Sequence, residues 1–175
     1  MAALAAPCSV QAAAKTEDQL IAELDGPNED KVASAMLAIE KQFPASTKAF
    51  PKMKTLLKDN RPKVRRKAAR VLGVLHADVD KENIKDIVAM VKSSDPAEAM
   101  DGLKALRGLK AADAMPEVKA SLNSTTPNVV RDALRTLAVL GNKSDIPSIE
   151  PLLKHNDAKV QKDAQDAIFA LQNKS

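Results

Sequence analysis

Aromatic side chains are nearly missing from this sequence, which has three Phe, no Trp and no Tyr in 175 residues. Stacking platforms for bases, sugars or flat cofactors are built from such rings, and this chain has too few to make one. Glycine is scarce, at five residues. Neither GxGxxG nor GxxxxGK occurs, which excludes the Gly-rich phosphate loops. One Cys and two His fall short of the common zinc sites. Beyond Cys8 no thiol remains, so the body of the chain holds together without disulfides. No stretch approaches the ~18 apolar residues that span a bilayer. These absences lean against an enzyme and point to no cofactor and no metal.

What is present is apolar and charged in ordinary proportion, 45% and 29%. That suffices for a packed core and argues against disorder. The first stretch, Met1 to Ala14, carries no charge, ends in Ala12-Ala13-Ala14 and gives way abruptly to Lys15-Thr16-Glu17-Asp18. It reads as the last part of a secretory signal peptide with a cleavage site after Ala14, and the expected destination is the periplasm or the exterior. Leu4-Ala5-Ala6-Pro7-Cys8 has the outline of a lipobox, with Pro7 where a small residue belongs. A lipid anchor on Cys8 and an unstructured Ala-rich tail are the alternatives. Residues 15–175 then form the folded domain.

That domain is a repeat. Four segments align without a gap: Pro62 to Leu75, Pro96 to Leu109, Pro127 to Leu140 and Ala158 to Leu171, with starts 34, 31 and 31 residues apart. The seventh column is small (Ala68, Gly102, Ala133, Ala164). The eleventh is Leu72, Leu106, Leu137 and Ile168, and the fourteenth is Leu75, Leu109, Leu140 and Leu171. Offsets of four and three place these columns on one helix face. The small column admits a close neighbouring helix, and Pro at the first position suits a first helical turn. Asp95 or Asn60 is placed to cap. A partner helix precedes each segment, over Lys48–Lys58, Ile84–Lys92, Ala114–Leu122 and Ile146–Leu153, with apolar residues at i, i+3, i+4, i+7. A degenerate unit runs from Thr16 through a turn at Asp25-Gly26-Pro27 to Phe43. The reading is ten helices in five hairpins, over approximately 15–46, 47–79, 80–111, 112–144 and 145–175. A lone hairpin of this size cannot bury its apolar face, so the hairpins stack.

PKVRRKAARVLGVL, repeated in register, resembles the second helix of a HEAT repeat, in the short form of the phycobilisome-lyase-type HEAT-like family. The resemblance covers Thr16 to the C-terminus. It implies an all-α, right-handed solenoid whose second helices line a concave binding face. Arg65, after Val64, stands where such repeats often carry a structural Arg. Lyases of that class act on a bilin chromophore held by a partner, and no residue here carries that activity over.

On the second helices the fifth column reads Arg66, Met100, Arg131, Lys162, and the ninth reads Arg70, Lys104, Arg135, Asp166. Four residues apart, the two columns form one stripe. With Lys63 and Lys67, the candidate binding set is Lys63, Arg66, Lys67, Arg70, Met100, Lys104, Arg131 and Arg135. Residues 47–79 hold ten basic and two acidic side chains, against three and seven in residues 15–46. Six cations fall between Arg61 and Arg70. The functional reading is a surface for an acidic protein partner. The plain alternative is a solvated helix face. The sixth column (Lys67, Asp101, Asp132, Asp163) adds a ladder, with each Asp expected to pair with a cation of the following repeat, such as Arg131 or Lys162.

Two rivals follow. Phosphate-polymer or nucleic-acid backbone binding needs only cations, but base-directed chemistry needs the missing rings, so nucleic acid is not expected. An accessory subunit of an enzyme complex is the other. His76 and His155 stand 79 residues apart, more than two repeats, too far to share a site. His76 reads as a helix C-terminal residue. Met36, Met53, Met90 and Met115 read as core, and Met100 as an apolar contact within the stripe. The sequence therefore predicts a non-catalytic scaffold.

Overall fold

The computed structural model describes residues 14–174. The expected signal peptide and Cys8 lie outside the described residues, apart from Ala14. Ten α-helices and no strand occur among the described residues. They are α1 (Glu17–Glu23), α2 (Glu29–Gln42), α3 (Phe50–Thr55), α4 (Pro62–Val74), α5 (Lys81–Val91), α6 (Pro96–Gly108), α7 (Met115–Ala120), α8 (Pro127–Leu140), α9 (Ile146–Ile149) and α10 (Ala158–Gln172). Among the described residues, no helix is long and apolar enough to cross a membrane.

The helices pair as α1/α2, α3/α4, α5/α6, α7/α8 and α9/α10, and the pairs stack into an α-solenoid. The even-numbered second helices pack on one another in an unbroken series from α2 to α10. Their length follows from their starts. Pro62, Pro96 and Pro127 occupy first turns, where a missing N–H is harmless. Asp95 and Asp157 cap α6 and α10 by accepting backbone N–H bonds. Asn60 does not cap α4. Arg61 holds that position, because Pro62 fixes where the helix begins and leaves Asn60 one residue too early.

The first helices are shorter. Pro51, Pro116 and Pro147 open α3, α7 and α9, and each helix tightens into a 3₁₀ turn at its end. In the last repeat a second proline, Pro151, follows four residues after Pro147. It has no N–H to donate back, so the α-helix stops after one turn. The α5 helix lacks such a proline and reaches 11 residues.

The core runs between the layers. Leu72, Leu106, Leu137 and Leu171 are buried, as is the small column Ala68, Ala133 and Ala164. Gly102 meets α5 directly: a β-carbon there would stand 3.0 Å from the Val91 amide nitrogen and 3.2 Å from the Ile87 carbonyl oxygen. Met36, Met53 and Met90 are buried and Met115 is partly buried against the core. The helices α4 and α6 end in the same reverse turn. Ala77 N–H bonds to Leu72 C=O and Ala111 N–H to Leu106 C=O, with His76 and Lys110 in left-handed backbone at φ 49° and 54°.

Candidate functional site on the second-helix face

The cationic stripe is real as a surface feature, and almost every member is already engaged. Arg66 donates to Asp101 at 2.8 Å. Lys104 lies 3.7 Å from Asp101 and 3.5 Å from Asp132. Arg135 lies 3.7 Å from Asp132 and 3.2 Å from Asp163, and Arg131 donates to Asp163 at 2.8 Å. From Arg66 to Arg131 the charges alternate in one chain across three repeat boundaries. At the other end Arg70 donates to Glu40 at 2.8 Å and Lys63 pairs with Asp30. Met100 sits within the stripe, partly buried and packed on the core.

The pairing direction is the reverse of the expected one. Each Asp of the sixth column pairs with a cation of the preceding repeat: Arg66 with Asp101, Lys104 with Asp132, Arg131 with Asp163. Successive helix residues are about 100° apart, so columns five and six flank the outward direction on opposite sides. Column five leans to the next repeat and column six to the previous one. Asp132 is 4% exposed, so its pairs are screened less than the rest; the half-exposed members contribute little singly.

Lys162, exposed at the far end of the fifth column, has no ion pair among the described residues, and within the candidate set Lys67 is the exception. It occupies the sixth column, where later repeats carry Asp, and no carboxylate lies within ion-pair distance among the described residues. Partial burial and the neighbouring Arg70 charge push its amine below the usual lysine range.

The remaining cations of the Arg61–Arg70 run are structural. Arg61 grips both oxygens of Asp59 and donates to the carbonyls of Gly26 and Pro27, tying the second repeat to the first turn. That guanidinium holds the Asp59 carboxyl below its ordinary range against the opposing effect of burial. Arg65 donates to Glu98 at 2.9 Å and to the carbonyls of Asp59 and Asn60 at 2.8 and 3.2 Å. Ser93 supplies Glu98 with a further bond at 2.8 Å. Glu98 is 6% exposed and stands in a column otherwise occupied by Val64, Val129 and Val160. The expected structural Arg65 thus has a buried partner that the sequence reading missed. A carboxylate in a valine column was the available signal.

Both histidines are taken up in turns. His76 follows the end of α4, with Nδ1 2.7 Å from the Gly108 carbonyl oxygen. His155 Nδ1 accepts the Asp157 N–H at 3.0 Å.

No protein-family model matches the chain, and no curated protein matches it in sequence. Solved structures do. The complex of CpcE and CpcF of phycocyanin lyase from Nostoc sp. PCC7120 aligns with TM-score 0.78 at 20% identity, over 99% of this chain and 71% of that one. A designed armadillo repeat protein in complex with the peptide (KR)4 aligns at 0.67 and 18%, over 87% and 80%. An engineered protein aligns at 0.71 and 22%, over 90% and 81%. The fold is that of a HEAT-like helical-repeat solenoid. At these identities the likeness carries architecture, and the ladder from Arg66 to Arg131 is read from this chain alone. In this HEAT-like solenoid the ladder crosses the inter-repeat joints of the second-helix layer, where it fixes each repeat against the next.

Proposed function

We propose that the protein is a non-catalytic interaction scaffold that receives a protein partner along its second-helix face. The observation that supports this reading is the continuity of that face. Five stacked helices, cross-braced by ion pairs at successive joints, present one preformed surface instead of five independent ones. The second helices touch along the stack, whereas α5 and α7 of the first-helix layer make little contact. A stack tighter in one layer than the other bends toward the tight layer, which supports reading the second helices as the inner side of the curve. The armadillo neighbour was solved in complex with a peptide and the lyase neighbour as the complex of CpcE and CpcF; both support protein or peptide binding as the use of such a surface.

The charge of the contacting segment follows from the ladder. Six cations of the candidate set pair with five carboxylates, Asp30, Glu40, Asp101, Asp132 and Asp163, and Lys67 adds an unpaired seventh, so the face is basic by a small margin. The reading is therefore a modestly acidic segment. A continuous phosphate array suits the face less, because interleaved carboxylates repel it. The likeness to a phycocyanin-lyase complex supports a narrower variant, an accessory subunit that forms a stoichiometric complex with a second helical-repeat chain. Size-exclusion chromatography of the partner complex separates the two. Export belongs to the proposal through the Ala12-Ala13-Ala14 motif; N-terminal sequencing of the native protein, expected to begin at Lys15, tests it.

The main test is fluorescence anisotropy with a labelled Glu/Asp-rich decapeptide, with (KR)4 and duplex DNA as controls. The acidic peptide should bind, weaken with added salt and lose about ten-fold or more in affinity with Lys67→Glu. Equal binding of acidic and basic peptides, or an indifferent Lys67→Glu, would sink the reading.

A further inference from the structure

The first-helix layer contains an open groove. Pro116 starts α7 late and a 3₁₀ turn ends it early, so its six residues cover only part of the 11-residue α5. The uncovered flank forms a groove of about 500 Å³ whose floor is Ile84, Val88 and Ala114, with Ala89 at its outer rim. Ile84 and Val88 lie one helical turn apart and are partly buried on the core, while Ala89 is exposed. The two walls carry opposite charge: Lys81 and Lys85 on the α5 side, Asp113 and Glu117 on the α7 side. Among the described residues Lys85 is held only by Glu82 on its own helix, and Lys92 bridges to Glu117 at 3.2 Å. Lys81 and Asp113 have no ion-pair partner among the described residues.

We infer that this groove docks an amphipathic helix of a partner protein, separate from the segment received on the second-helix face. Its apolar residues at i and i+4 sit on Ile84, Val88 and Ala114. One acidic flank faces Lys81 and Lys85, and one basic flank faces Asp113 and Glu117. Opposite walls select one orientation of the incoming helix, since the reversed arrangement sets like charge against like on both sides. A second copy of this chain is a poor occupant. Among the described residues its exposed large apolar side chains, Val74, Val139, Leu153 and Phe169, sit on four different elements and offer no two-residue ridge. A groove against its own symmetry mate meets a groove.

The test uses the full chain and two labelled helical peptides of about 16 residues, long enough to span α5. Both carry Leu at i and i+4; one has Glu on the flank facing α5 and Lys on the other, and the second has the flanks exchanged. The complementary peptide should bind about ten-fold tighter than the exchanged one. Lys81→Glu combined with Lys85→Glu, both at exposed positions that leave the thermal melt unchanged, should abolish that preference. Lys67→Glu should leave it intact, which separates this site from the second-helix face. Equal affinity for the two peptides overturns the inference, as does an unchanged preference in the Lys81→Glu, Lys85→Glu variant. Concentration-dependent dimers in sedimentation that the same double variant dissolves would give the groove to a second copy and overturn it as well.

Discussion

Gly108 of α6 lies directly on the backbone of Gly73 in α4: a β-carbon at residue 108 would stand 2.7 Å from the Gly73 carbonyl carbon. From the other side, a β-carbon on Gly73 would stand 2.9 Å from the Ala105 Cα. The obstacles are backbone atoms, which cannot rotate away. Gly108→Ala must therefore push α4 and α6 apart, and it should destabilise the protein by about 3 kcal/mol. Urea unfolding checks this; a loss below about 1 kcal/mol would show that the joint gives.

Lys110 presents the opposite case. Its backbone is left-handed at φ 54° and its side chain is exposed and unpaired among the described residues. Lys110→Gly removes the steric cost of that conformation and should raise stability by about 1 kcal/mol. His76 shares the geometry but bonds Gly108 through Nδ1, so His76→Gly should gain less.

The buried pair Arg65–Glu98 should respond asymmetrically. Arg65→Ala strands a carboxylate that is 6% exposed and should cost about 2–3 kcal/mol. Glu98→Val restores the side chain found at Val64, Val129 and Val160, while Arg65, partly exposed, turns to solvent. It should cost about 1 kcal/mol or less. Chemical denaturation of both variants decides; equal losses would mean that Arg65 is as confined as Glu98.

Acid should unfold the solenoid through particular carboxyls. Asp59 is held low by the Arg61 guanidinium. Burial pushes Asp145 up, but the Lys119 ammonium and the Asn142 N–H pull it further down. Groups depressed in the folded state bind fewer protons there than in the unfolded chain. Their stabilisation is present above the unfolded carboxyl range near about 4 and is lost as pH falls through the folded values. Lys119→Ala should be less stable at neutral pH and show a shallower acid loss. Asp86 has the opposite sign, since burial raises it. Asp86→Asn should match or exceed the wild type at neutral pH and lose stability more steeply in acid. Urea midpoints measured across pH check both slopes.

Stability should also be uneven along the stack. End repeats have a neighbour on one side only, and α9 supplies a single α-turn. Amide exchange should be fastest in α1 and α9–α10 and slowest in α6 and α8.

The fold was legible because a solenoid is a local code. Each hairpin is written within 31–34 residues, and Leu72, Leu106 and Leu137 recur in register because each must fill the same seam. The weak points were local too. The spacing of Pro147 and Pro151 already contained the collapse of α9 into a 3₁₀ turn. Glu98 among valines already marked a buried charge.

The candidate face divides differently. By itself the sequence determined that cations recur at columns five and nine and that Asp recurs at column six. Only the tertiary structure decided who pairs with whom. Column spacing gives an angle around one helix, but not which flank meets the repeat before and which the repeat after. That hand is set by how α4, α6, α8 and α10 stack, with Gly73 and Gly108 in backbone contact. It turns a row of apparently free arginines into a nearly closed ladder and leaves Lys67 as the unmatched cation of the candidate set among the described residues.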